Sequence, residues 1–130
     1  MTKTISAIDL TRWQVLLENG AKMRPIQPSA PASAHLAEGR TLAIFDAEHP
    51  EDVHPDHWEM HSEGDEFLYL WSGRLVIDLD CANGTHSVTL TPGTGYVVAS
   101  GLWHRLRLLA PSVLMAITHR TGTQRRKNPE

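Results

Sequence analysis

Most of the chemistry in this chain is concentrated in one short run, His57-Trp58-Glu59-Met60-His61-Ser62-Glu63-Gly64-Asp65-Glu66. In an extended strand alternate side chains share a face, so His57, Glu59 and His61 point one way and Trp58 and Met60 the other. Three candidate ligands on one strand face are hard to explain as packing. Gly64-Asp65 allows a tight turn, and Glu66 opens the returning strand in step with Leu68 and Leu70. A carboxylate in register with leucines points into an apolar interior, where burial is costly unless a cation or hydrogen bonds compensate. A second histidine follows Gly101-Leu102-Trp103. His104 aligns with Leu106 and Leu108, whereas Arg105 and Arg107 take the other face and are expected to meet water. Two imidazoles and a carboxylate inside one barrel, His61, Glu66 and His104, suit a divalent transition metal: iron, manganese, nickel or zinc.

These residues need short strands to hold them. Thr41–Asp46 is one candidate, and Val53–His61 leads into Glu66–Trp71. Ser72-Gly73 reads as a tight turn into Arg74–Asp80, where Leu75, Ile77 and Leu79 alternate with polar residues at the strand period of two. Asn83-Gly84 signals a hairpin because both residues tolerate positive φ. His86–Leu90, Tyr96–Ala99, Trp103–Leu109 and Val113–Arg120 follow, the last two split by Ala110-Pro111-Ser112. Turn residues every eight to twelve positions predict an all-β sandwich or barrel. Residues 1–40 differ. Pro25, Pro28 and Pro31 make part of this stretch an extended connection, since proline cannot donate to a ladder. Ala21–Ile26 reads as an edge strand, and Thr11–Leu17 fits either a short helix or a strand. The division is therefore an N-terminal arm over 1–40, a barrel over 41–120 and a solvated polar tail over 121–130.

Composition bounds the function. With 130 residues, 41% hydrophobic and 21% charged, the chain suits one globular domain. A net charge of −3 argues against a nucleic-acid partner. Cys81 is the one cysteine, so no disulfide framework or four-thiolate zinc site can form, and a catalytic thiol has no obvious base partner. No stretch is long and apolar enough for a membrane span or a secretory signal, which makes the cytoplasm the expected compartment. Asn83-Gly84-Thr85 is accordingly read as a turn rather than a glycosylation site. Eight histidines are the unusual number, because histidine is the commonest metal ligand.

Two glycine-framed segments resemble the cupin family, the double-stranded β-helix of jelly-roll type. Glu59-x-His61-x4-Glu66-x6-Gly73 matches the spacing of its first motif, and Gly93-x5-Ala99-x-Gly101-x2-His104-x3-Leu108 that of its second. Three positions depart from the pattern: Glu59 stands for the first histidine, Ala99 for a proline and Leu108 for an asparagine. The resemblance covers roughly residues 40–120 and implies a cupin barrel with an N-terminal extension. It implies a metal held by His61, Glu66 and His104. Glu59 then either binds the metal directly, hydrogen-bonds a metal water or serves as the catalytic base. His57, Tyr96 and His119 are weaker pocket candidates, with Trp103 behind them. His35, His49, His54 and His86 are expected to be exposed.

The fold hosts many reactions. The expected activity is that of a metal-dependent dioxygenase or of an isomerase or lyase, acting on a small organic molecule. The alternative is a non-catalytic small-ligand or metal-binding module. The apolar residues of the arm (Leu10, Trp13, Val15, Leu16, Leu17, Met23 and Ile26) imply a partner surface, and a homodimer is expected.

Overall fold

The computed structural model describes residues 6–28 and 38–127. Nine strands follow in chain order: β1 (Gln14–Leu17), β2 (Met23–Ile26), β3 (Arg40–Ala47), β4 (His57–His61), β5 (Glu66–Cys81), β6 (Gly84–Leu90), β7 (Gly95–Val98), β8 (His104–His119) and β9 (Thr123–Lys127). A 3₁₀ turn, Pro50–Val53, precedes β4. Among the described residues no helix is long and apolar enough to cross a membrane. The expected all-β architecture is the one observed, and the N-terminal extension is a minor part of it.

β5 and β8 form the spine, antiparallel to each other along nearly their whole length, from Phe67↔Ile117 to Leu79↔His104. The first part of β5 also pairs with β7 and the second with β6, whereas β8 passes its distal half to β3. β1 extends the sheet from β3, and β2 lies outside β1. Leu68, Leu70, Leu75, Ile77, Leu79, Leu90, Val98 and Leu114 close the core. The region Thr11–Leu17 thus resolves as strand, and the arm is partly folded onto its own sheet, with Leu16 fully buried. The segment from Ser29, including His35, lies outside the described residues.

Two breaks expected from the sequence are not breaks. Ser72-Gly73 and Ala110-Pro111-Ser112 face each other across irregularities in the β5–β8 ladder, and both strands run on. Ser112 Oγ accepts a hydrogen bond from Arg74 N at 3.0 Å and donates one to the Ala110 carbonyl at 2.8 Å. Gly73 has φ +95°, and a Cβ there would collide with the Pro111 carbonyl and Ser112. Only glycine fits, because both the dihedral and the space exclude a side chain. The irregularity switches the core-facing parity of β5 from Glu66, Leu68 and Leu70 to Leu75, Ile77 and Leu79.

A further correction concerns the outer face of the spine, where Arg105 and Arg107 were expected simply to meet water. Asp78, on the same face, is 2% exposed. Cross-strand register sets it between Ser87 on β6 and Arg105 on β8. It accepts hydrogen bonds from Ser87 Oγ at 2.7 Å, Arg105 Nε at 2.9 Å and Arg107 Nε at 2.6 Å. Burial opposes the charged carboxylate, but the Arg107, Ser87 and Arg105 donors outweigh it and hold the pKa down at about 2. Arg105 and Arg107 therefore clasp a carboxylate instead of simply facing water.

The polar tail is corrected as well. Residues 123–127 form β9, antiparallel to β4 in the register His61↔Thr123, Glu59↔Arg125, His57↔Lys127. Gly122, at φ +84°, makes the reversal from β8; a Cβ there would press on Ser62 and Glu63. The strand is exposed, as a tail would be. It is nonetheless hydrogen-bonded along its length.

Candidate metal centre

Three strand ends converge inside the barrel. Glu59 and His61 come from β4, Glu66 from the start of β5 and His104 from the start of β8. Cross-strand pairing puts Glu59 opposite His104. The period of two then brings His61 and Glu59 to the same interior as Glu66. One donor atom from each of the four side chains lies within 4.8 Å of all the others. His61, Glu66 and His104 are buried, and Glu59 is half-buried at the cavity side.

The distances define a centre. His104 Nε2 stands 3.0 Å from Glu66 Oε1, His61 Nε2 stands 3.3 Å from the same oxygen, and Glu59 Oε1 stands 3.4 Å from His61 Nε2. The two imidazole rings are 5.3 Å apart, tilted by 46°. Each donor is braced from behind. His61 Nδ1 is 2.9 Å from Thr123 Oγ1, and His104 Nδ1 donates to the Leu102 carbonyl at 3.0 Å. Thr118 Oγ1 donates to Glu66 Oε2 at 2.6 Å, and Arg125 Nε donates to Glu59 Oε2 at 3.0 Å. Outer partners of this kind fix tautomer and ring orientation in metal sites.

The donor set fits a divalent cation. The Leu102 carbonyl can only accept, so His104 Nδ1–H donates to it, and His104 Nε2 lies 3.0 Å from Glu66 Oε1. The Glu59 and Glu66 carboxylates bring two negative charges to the centre, which a cation between the four side chains would balance. His61 Nε2 is buried and makes no hydrogen bond, being near both carboxylates but in hydrogen-bond geometry with neither. A proton answers for the charge when no ion is bound. Burial disfavours the His61 imidazolium, yet the Glu59 and Glu66 carboxylates outweigh it and raise the pKa to about 9. Burial likewise works against the Glu66 carboxylate, but His104, His61 and Thr118 hold its pKa at about 2. Glu59 is also lowered, by His61 first and then by Arg125 against its burial.

The centre opens into a cavity of about 590 Å³. Its apolar wall includes Phe45, Leu68, Leu106 and Leu114, and its polar side includes Asp52, His54, His57 and Arg125. His57 thus reaches the cavity, though from an exposed position away from the four donors. Tyr96 does not line the cavity; it packs against the core cluster. His119 is not there either. The inner side of β8 carries Leu114, Ala116 and Thr118, which leaves His119 on the outer side with its ring against Gly64. His54, expected to be exposed, is exposed and also lines the cavity mouth.

Thr118, Thr123 and Arg125 escaped the sequence reading. For Thr118 the signal was its step with Leu114 and Ala116. For Thr123 and Arg125 it was an alternation concealed by the polarity of the chain end.

Residues 46–118 match a family model described as a cupin domain. The chain belongs to the cupin family. No curated protein sequence matches this cupin. Among solved structures it is similar to Bacillus subtilis oxalate decarboxylase, studied for its Mn(II) centres: 15% identity and a TM-score of 0.51, over 68% of this chain and 23% of that one. The match therefore spans under a quarter of the decarboxylase chain and speaks for the fold. A cupin-2 domain protein from Shewanella frigidimarina NCIMB 400 aligns at 21% identity with a TM-score of 0.45, over 72% of this chain and 83% of that one.

Proposed function

We propose that this cupin is a mononuclear metal enzyme acting on a small organic molecule held in the cavity beside the centre. The observation that supports it is the convergence of four braced donors, Glu59, His61, Glu66 and His104, at the inner end of a partly apolar cavity. When bound, a divalent ion supplies Lewis-acid polarisation of a substrate oxygen. The chain's own residues do the rest. Thr118 and Thr123 orient Glu66 and His61, and the apolar wall restricts water. Arg125 turns Glu59 Oε1 inward by holding Oε2. That favours Glu59 as a fourth ligand over Glu59 as a proton acceptor. Two carboxylates and two imidazoles neutralise a divalent charge and favour harder ions such as manganese or iron. The Mn(II) centres of the similar decarboxylase make manganese the first ion to offer.

The test pairs Glu59→Gln with its parent. Clearly lower manganese occupancy supports the ligand role. Intact occupancy with loss of turnover transfers Glu59 to the role of base. Absence of manganese, iron, nickel and zinc binding in the tag-free parent overturns the proposal.

A homodimer belongs to the same proposal, through the outer face of the sheet. Val97, Phe67, Ile117, Leu42 and Val15 follow one another across β7, β5, β8, β3 and β1. Tyr69, Met115 and Ile44 make the next row. Trp71 and Val97 on this side are 71% and 56% exposed. A contiguous apolar face of this kind is seldom left to solvent.

A further inference from the structure

Among the described residues the strand β9 is paired at one edge, with β4, and all five of its residues are exposed. Short edge strands of this kind open easily on their own. Yet β9 supplies the two partners that brace the β4 side of the centre, Thr123 behind His61 and Arg125 behind Glu59. Both residues also line the cavity. A fastening beyond the β4 pairing also holds the strand in place.

That fastening lies on the opposite side of the strand. Arg126 is out of step with Thr123 and Arg125, so it points away from the cavity. Its guanidinium carbon sits 4.5 Å from the Trp103 ring centroid and 5.7 Å from that of Trp58. It also forms an ion pair with Asp80. Trp58 is on β4 and 6% exposed, Asp80 is near the end of β5, and Trp103 immediately precedes β8. Arg105 lies over the same Trp58 ring at 4.8 Å, which adds a second cation to the stack. Arginine over indole is the strongest of the common cation–aromatic pairings, and its planar head suits it to stacking beside a ring. One side chain thus joins β9 to three elements that carry or flank the ligands.

We propose that β9 is a latch that completes the metal centre, and that Arg126 is the positioning residue that fastens it. With the latch closed, Thr123 and Arg125 hold His61 and Glu59 at ligating geometry. With it open, both ligands lose their braces and the cavity loses a wall. The proposal rests on the metal reading for its functional consequence, but the latch itself is testable without metal.

The experiment compares the full chain with Arg126→Ala and Thr123→Val. Hydrogen exchange of the metal-free proteins reads the latch. Arg126→Ala should speed exchange of residues 123–127 at least tenfold, leaving β5 and β8 unchanged. The His61 ring nitrogen shifts, read by NMR on the same metal-free proteins, should move in both variants. Calorimetric titration with Mn²⁺ should show a loss of about tenfold in affinity for both, the scale seen when outer partners of metal ligands are removed. Unchanged exchange over 123–127 in Arg126→Ala would overturn the fastening. Loosened β9 with unmoved His61 shifts would overturn the positioning role. A parent that takes up no Mn²⁺ refutes the enzyme reading alone, because exchange and NMR still decide the latch.

Discussion

Metal binding to this cupin should release a proton, because the two carboxylates raise the His61 pKa. In the metal-free protein the His61 pKa is about 9, because the Glu59 and Glu66 carboxylates overcome its burial. At pH 7 the imidazolium is therefore the ground state, and an ion entering the centre must displace the proton from Nε2. A ligand protonated two units below its pKa lowers apparent affinity about 100-fold, or roughly 3 kcal/mol at 1.36 kcal/mol per unit. The sign follows directly. The proton is held below the raised pKa, so affinity rises as pH rises. It should climb about tenfold per unit from pH 6 towards pH 9 and then level off. Glu66, with its pKa at about 2, stays ionised throughout this window and adds no slope. Calorimetric titration with Mn²⁺ in two buffers of different ionisation enthalpy counts the protons: about one per ion at pH 7, approaching none above pH 9. No proton release at pH 7, together with affinity independent of pH between 6 and 8.5, would refute the reasoning.

Three other outcomes follow from the fold. Asp78→Asn should cost about 1–2 kcal/mol in urea denaturation at pH 7, since lowering a carboxyl from 3.8 to about 2 corresponds to about 2 kcal/mol and the 42% exposure of Arg107 screens part of it. That contribution is present above the unfolded pKa and fades as pH falls from about 4 towards 2, so a stability gap that stayed constant over this range would contradict it. Gly73→Ala should lose about 2–3 kcal/mol by thermal or urea unfolding, because a Cβ at φ +95° meets Pro111 and Ser112; a loss below about 0.5 kcal/mol would contradict it. Trp71→Glu should convert the dimer to a monomer by light scattering at micromolar concentration without altering Mn²⁺ affinity, and a parent that is already monomeric would end the dimer proposal.

The four donors were legible in the sequence because each lies on a strand whose neighbours report its direction. Glu66 runs with Leu68 and Leu70, His104 with Leu106 and Leu108, and the Glu59–His61 pair shares one face by period alone. What surrounds them was not legible, for reasons that are physical. β5 and β8 read as four strands because glycine and proline punctuate turns, whereas here Gly73 and Pro111 sit opposite each other in one bulged ladder. The burial of Asp78 was not legible because alternation assigns faces within one strand and cannot show that two arginines on another strand cover it. His119 was given the wrong side, since Val113, Met115 and Ile117 look like core but form the outer apolar face. Thr123, Arg125 and Arg126 read as a solvated end because an exposed edge strand has no hydrophobic period to announce it; only β4, far away in sequence, gives it a register.

Anomalous diffraction from Mn²⁺-loaded crystals at the manganese edge would locate the ion. One peak is expected in each molecule, bonded at about 2.0–2.3 Å to Glu59 Oε1, His61 Nε2, Glu66 Oε1 and His104 Nε2, with Thr123 and Arg125 still behind their ligands. The absence of a peak between these four side chains, or a manganese ion bound only elsewhere, would contradict it.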